Sequence, residues 1–236
     1  MNKLKIMLIA ACTLAMASFG VAKADSSNFA GPYVGLQILA LGAEFDGTGT
    51  STGDGCSDCT TSNITDKVNV GTTAGSYGLE VGYVIPMGSN FALDLGGQYL
   101  QGKGKVAATN SNVANTAGNV SFEFDDHITG YIAPTLILSD TSSIYLKVGV
   151  SEAATTVSGD ITTPADLSGQ MLAIGTRTVL DSGIFIRTEA GYTDYNGIGA
   201  TGKGEGTVAK DLISTTTKFS ADPTIVHGVI SLGFRF

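Results

Sequence analysis

The chain has 236 residues, with 32 glycines, no tryptophan, 14% charged residues and a hydrophobic share of 43%. That balance excludes a polar disordered chain, and the formal net charge of −8 argues against nucleic acid as a partner. The length allows one or two domains.

Residues 1–24 read MNKLKIMLIAACTLAMASFGVAKA: two lysines, a short apolar core, then Ala22-Lys23-Ala24 ahead of Asp25. This is the pattern of a cleaved secretory signal peptide, leaving a domain over residues 25–236. The core is too short for a membrane anchor and runs into Ser18, Gly20 and Lys23. A lipoprotein-type cleavage before Cys12 is the second reading, but it leaves an apolar core of only Ile6 to Ala11. Loss of Lys3, Lys5 and Lys23 would leave 10 basic residues against 21 acidic ones, and two cysteines, Cys56 and Cys59. Export permits a disulfide between them. No later stretch reaches the 18 apolar residues of a membrane-crossing helix.

Eight alternating segments follow. GPYVGLQILALGA (31–43) comes first. In AGSYGLEVGYVI (74–85), Tyr77, Leu79, Val81 and Tyr83 oppose Ser76, Gly78, Glu80 and Gly82. FALDLGGQY (91–99) opposes Phe91, Leu93, Leu95 and Tyr99 to Asp94, Gly96 and Gln98. HITGYIAPTLIL (127–138) is weaker, with Ile128, Ile132, Leu136 and Leu138 on one parity. SIYLKVGVS (143–151), QMLAIGTRTVL (170–180) and IFIRTEAGY (184–192) each set aliphatic residues against a basic one: Lys147, Arg177 and Arg187. In VHGVISLGFRF (226–236), Val226, Ile230, Leu232, Phe234 and Phe236 share a face. A period of two is the signature of strands, and no helix is predicted after the signal segment.

Short, turn-rich connections at Pro86 to Asn90, Ser139 to Ser142 and Asp181 to Gly183 alternate with long polar ones, roughly 44–66, 101–119, 152–168 and 194–223. Short turns at one end and long loops at the other predict an all-β, eight-stranded antiparallel up-and-down transmembrane β-barrel. A soluble barrel shares the periodicity with the polarity reversed. Three features favour lipid: a small, Gly-rich polar face; aromatics at strand ends (Tyr83, Phe91, Tyr192, Phe234, Phe236); and a chain that finishes on a strand. The 194–223 connection could also hide a further hairpin in GTVAKDLISTTTKF, giving ten strands.

Ile230, Leu232, Phe234 and Phe236 resemble the C-terminal insertion signal of bacterial outer-membrane proteins. With GPYVG, IYLKVGVS and IRTEAGY, the chain resembles the small bacterial outer-membrane β-barrel family of OmpX-like, opacity-type and porin-family proteins. The resemblance covers nearly all of residues 30–236. It implies a place in the outer membrane, contact with its lipid and lipopolysaccharide, and insertion by the barrel-assembly machinery.

The polar parity carries Glu80, Asp94, Lys147, Arg177, Arg187, Glu189 and Arg235. An eight-stranded barrel is just wide enough for side chains to fill it. Charges held there must be paired, so these seven are predicted to form an interior network that plugs the lumen; a narrow ion path along them is the alternative.

Other motifs carry less. Gly197, Gly199 and Gly202 match G-x-G-x-x-G, with Lys203 one residue short of a P-loop, but no helix is expected after them. Cys56 and Cys59 have C-x-x-C spacing without further zinc ligands nearby, so a loop disulfide is expected. EFDDH (123–127) and GDGCSD (53–58) lack EF-hand spacing, so no metal site is expected. His127, near Thr129 and Ser121, and His227, near Ser231, assemble no triad, so no enzyme and no cofactor are expected. The expected role is structural or adhesion-like, carried by long acidic loops toward an extracellular ligand. A small porin is the alternative, and a lipid-modifying enzyme the third reading.

Overall fold

The computed structural model describes residues 25–54, 63–101, 104–109, 119–158, 166–208 and 211–236. Cys56 and Cys59, and the signal segment 1–24, lie outside the described residues.

The described residues form ten strand segments: β1 (Gly31–Asp54), β2 (Asn63–Pro86), β3 (Phe91–Gln101), β4 (Gly104–Thr109), β5 (Asn119–Ile137), β6 (Ser142–Ser158), β7 (Leu167–Val179), β8 (Ile184–Tyr195), β9 (Ile198–Val208) and β10 (Asp211–Arg235). They make eight staves. β3 and β4 both pair with β5, and β8 and β9 both pair with β10, so each couple is one interrupted stave. The hairpin predicted as a possible ninth and tenth strand is thus a prolongation of the seventh and eighth staves. Every pairing is antiparallel, and β1 closes on β10 from Tyr33↔Arg235 upward. A closed cylinder of this kind leaves no edge at the level of the core.

The polarity follows the residue alternation. Leu36, Ile38, Val81, Ile132, Ile174, Ile186, Ile230 and Leu232 stand exposed on the outer wall. Tyr77, Tyr99 and Tyr192 lie outward toward one end, and Tyr83, Phe91, Phe234 and Phe236 toward the other. Glu80, Lys147 and Arg187, by contrast, are at most 1% exposed. Oil outside and charge inside is the arrangement of a barrel whose solvent is lipid. Leu136 keeps the outward parity, in register between Phe91 and Ile144, but is covered there.

The turn end is tight. Met87 N–H donates to Phe91 O at 2.8 Å, Leu138 N–H to Ser142 O at 2.9 Å and Leu180 N–H to Ile184 O at 2.7 Å. Gly88 takes φ +96° in the first of these turns, a conformation that suits glycine. A short 3-10 turn over Ser26–Phe29 folds under the same end, with Phe29 buried against Tyr33, Val84, Ile137 and Phe185.

The opposite end corrects the expectation of four long loops. The ladder of β1 with β10 continues to Asp54↔Ser214, and that of β1 with β2 to Thr52↔Asn63. Residues 44–54, 63–66 and most of 198–223 are therefore strand. Two curtains of sheet rise from the barrel: β2-β1-β10-β9, and β4-β5-β6. Backbone ladders need no apolar face, so Thr, Ser and Gly suffice where neither face meets lipid. A bulge between Asp125 and His127, with Asp126 at φ 42°, marks where β5 leaves the barrel.

Candidate functional site: the barrel interior

The lumen is filled in layers. At the turn end lies the apolar cluster around Phe29, Tyr33 and Phe185. At the hairpin end Ala43, Ala153, Leu167, Tyr195, Ile198, Ala221 and Ile225 pack together with Leu41. Between them sit three basic and three acidic side chains, all buried: Lys147, Arg177, Arg187, Glu80, Asp94 and Glu189.

Arg187 is the hub. Its Nη1 lies 3.1 Å from Glu80 Oε2 and 3.5 Å from Asp94 Oδ2, and donates to Tyr33 Oη at 3.1 Å. Its Nε donates to Tyr145 Oη at 3.3 Å, and Tyr145 passes its own hydroxyl hydrogen to Glu189 Oε2 at 2.9 Å. Arg177 Nη2 pairs with Asp94 Oδ2 at 3.1 Å, and Tyr33 donates to Asp94 Oδ1 at 2.8 Å. Lys147 pairs with Glu189 and donates to Gln98 Oε1 at 3.3 Å. Gln37 Nε2 donates to Glu80 Oε2 at 3.1 Å. Cation–π contacts complete the packing, with Lys147 4.3 Å from the Tyr131 ring centroid and Arg177 4.3 Å from that of Tyr33.

Glycines make the room. A Cβ on Gly82 would collide with the Tyr33 hydroxyl, one on Gly96 with that of Tyr131, and one on Gly175 with that of Tyr145. Each interior tyrosine thus lies over a glycine on a neighbouring stave. This is the physical reason that the small parity of the strands is so rich in glycine.

Of the seven charges grouped by parity, six meet in this layer. Arg235 does not. It lies at the turn end, where its Nη1 donates to Ser27 O at 3.0 Å and to Ala30 O at 3.3 Å, clasping the short 3-10 turn. Tyr33, Tyr131, Tyr145 and Gln37, which the parity grouping left out, share the interior with Gln98 and His227. Their signal was available: each lies on the parity opposite the lipid-facing aliphatics of its strand. The two histidines have other interior neighbours. His127 Nδ1 shares a 2.7 Å hydrogen bond with Tyr195 Oη, and His227 Nε2 lies 3.5 Å from Glu189 Oε1. The G-x-G-x-x-G glycines fall at the start of strand β9 and not at a helix. Among the described residues no group of three or more His, Cys, Asp or Glu side chains is placed to hold a metal. Ile230, Leu232, Phe234 and Phe236 all project outward from β10 or just past it.

Eight antiparallel staves, an apolar outer wall with aromatics at both ends and a paired ionic interior define an outer-membrane β-barrel. The profile of the outer membrane protein beta-barrel domain matches residues 11–218, and the chain belongs to that family. No curated protein matches. Solved structures with which the chain shares likeness include the outer membrane protein OprG from Pseudomonas aeruginosa, at 14% identity, TM-score 0.48, and coverage of 88% of this chain and 97% of that one. Others are Ail, the attachment invasion locus protein of Yersinia pestis (8%, 0.31, 80% and 98%), and Neisserial surface protein A (10%, 0.36, 84% and 97%).

Proposed function

We propose that this barrel is a surface-interaction protein of the outer membrane, and that its barrel is a mount and not a conduit. The observation that carries the reading is the interior. A six-charge network, neutral in sum, is stoppered by apolar side chains toward both ends. Removing water from such charges is costly, and pairing with hydrogen bonds is what offsets it. An ion entering this space would have to break those pairs. What remains available for recognition is the pair of sheet curtains above the aromatic ring. On this reading the outer wall is seated in lipid and lipopolysaccharide, residues 1–24 are removed on export, and β10, with Ile230, Leu232, Phe234 and Phe236, engages the assembly machinery.

The test is electrical. The full chain, refolded and inserted into a planar bilayer, is expected to give no repeated unit conductance. Stable stepwise openings of uniform size would overturn the reading and favour a small porin.

A further inference from the structure

The turn end of the barrel is closed by a segment that directly follows the expected processing point. Ser26 and Phe29, the first and last residues of the short 3-10 turn, are both buried. Three parts of the barrel hold this turn. The connection between β2 and β3 accepts from Ser26 N–H at Ser89 O, 3.0 Å away, and from the Ser26 hydroxyl at Gly88 O. The end of β10 supplies Arg235, which donates to Ser27 O and Ala30 O. The connection between β5 and β6 supplies Asp140, whose Oδ1 accepts from the backbone nitrogen of Asp25 at 3.0 Å.

That last contact joins residues 115 positions apart, and it falls on an atom that processing would change. Asp25 is the residue after Ala22-Lys23-Ala24. In the uncut chain its nitrogen is a neutral amide with one hydrogen. Hydrolysis of the Ala24–Asp25 bond adds one water: Ala24 leaves with a carboxylate, and the Asp25 nitrogen takes up the proton as an α-ammonium. The atom facing Asp140 then carries a full positive charge. Charge-assisted hydrogen bonds are about twice as strong as neutral ones.

The surroundings favour that charge. Of the two connections that hold the turn, Pro86 to Asn90 contains no charged residue, and Ser139 to Ser142 contains only Asp140. Asp25 brings a second carboxyl, which hydrogen bonds from the Ser27 hydroxyl and N–H hold below the usual carboxylate range. Arg235 is engaged with carbonyl oxygens. Two acidic residues thus meet here through a neutral donor before cleavage and through a cation after it.

We propose that the α-ammonium released by cutting between Ala24 and Asp25 is a structural group, which latches the 3-10 turn onto Asp140 and holds it more firmly in the processed chain than in the uncut one. The latch rests on the export reading, in which residues 1–24 are removed. Asp25 and Asp140 are both exposed, and exposed ion pairs contribute little to global stability. The latch therefore acts on local opening of the turn, whose own bonds are Asn28 N–H to Asp25 O at 3.2 Å and Ala30 N–H to Ser27 O at 3.1 Å.

The test starts from bacteria that express the full sequence. The chain is purified from their outer membranes, and its first residue is read by mass spectrometry. Three forms are compared in detergent: the processed chain, the same chain with Asp140→Asn, and residues 25–236 refolded with one extra methionine ahead of Asp25. The extra residue keeps the Asp25 amide but moves the ammonium off the contact. Heat-modifiable gel mobility checks that each form is folded. The α-amine, carrying isotope-labelled methyl groups, is titrated by NMR. It is expected to hold its proton at least about threefold more tightly in the processed chain than in Asp140→Asn. Amide exchange over residues 26–30 is expected to be at least about threefold slower in the processed chain than in either other form. Should Asp140→Asn fail to fold, exchange against the extended chain decides. A first residue other than Asp25 overturns the export reading and the latch together. Asp25 as first residue, with an α-amine that titrates as in Asp140→Asn or with exchange no slower than in the extended chain, overturns the latch alone.

Discussion

Within the membrane-level barrel and within the curtains above it, the same strands obey different rules. Below the ring of Tyr77, Tyr99 and Tyr192, β1, β2, β8 and β10 alternate aliphatic with polar or glycine, because one face meets lipid and the other a crowded ionic lumen. Above it, β1 runs on through Gly47-Thr48-Gly49-Thr50-Ser51-Thr52 without any apolar face, yet keeps its register with both neighbours. Alternation is thus imposed by having two unlike surroundings and not by the strand itself.

The sharpest way to break the contrast lies in the lumen. Replacing Arg187 with Leu strips Glu80 and Asp94 of their shared cation and is expected to destabilise the barrel by about 3–5 kcal/mol. The urea unfolding midpoint in detergent reads this; an unchanged midpoint would mean that water hydrates these carboxylates. On the outer wall, Ile186→Arg is expected to cost about 2–4 kcal/mol if that position meets mid-bilayer lipid. Insertion at wild-type yield would reverse the facing. Filling a tyrosine socket with Gly175→Leu is expected to cost about 1–3 kcal/mol by overpacking, and the same titration checks it. The smallest effect belongs to the curtain. Thr48 and Lys67 are register partners, so residues 49–66 can be replaced by an Asn-Gly turn. The shift expected is below about 1 kcal/mol, with gel mobility still heat-modifiable; collapse of the fold would show that the curtain braces the barrel.

The same contrast explains what the sequence could and could not disclose. All eight membrane-level segments were legible from their period of two, and so were the three tight turns. The strand extensions were not, since a Gly-, Thr- and Ser-rich ladder looks like a loop when no face is buried. The parity of Glu80, Asp94, Lys147, Arg177, Arg187 and Glu189 was legible, but not their pairing: Arg187 and Glu80 lie 107 residues apart and meet only because the cylinder closes. Arg235 shares their parity and still misses them, because parity gives a side and not a height.

The seam between β1 and β10 joins residues roughly 200 positions apart, from Tyr33↔Arg235 onward. Contacts so distant in sequence are slow to form, and here they are also the ones that turn a sheet into a tube. A copy arrested before β10 would be no smaller tube. It would be an unrolled sheet with raw borders at β1 and β8, greasy on one side and bearing unmatched ions on the other. Survival of a newly made copy is therefore all-or-nothing with respect to that one join.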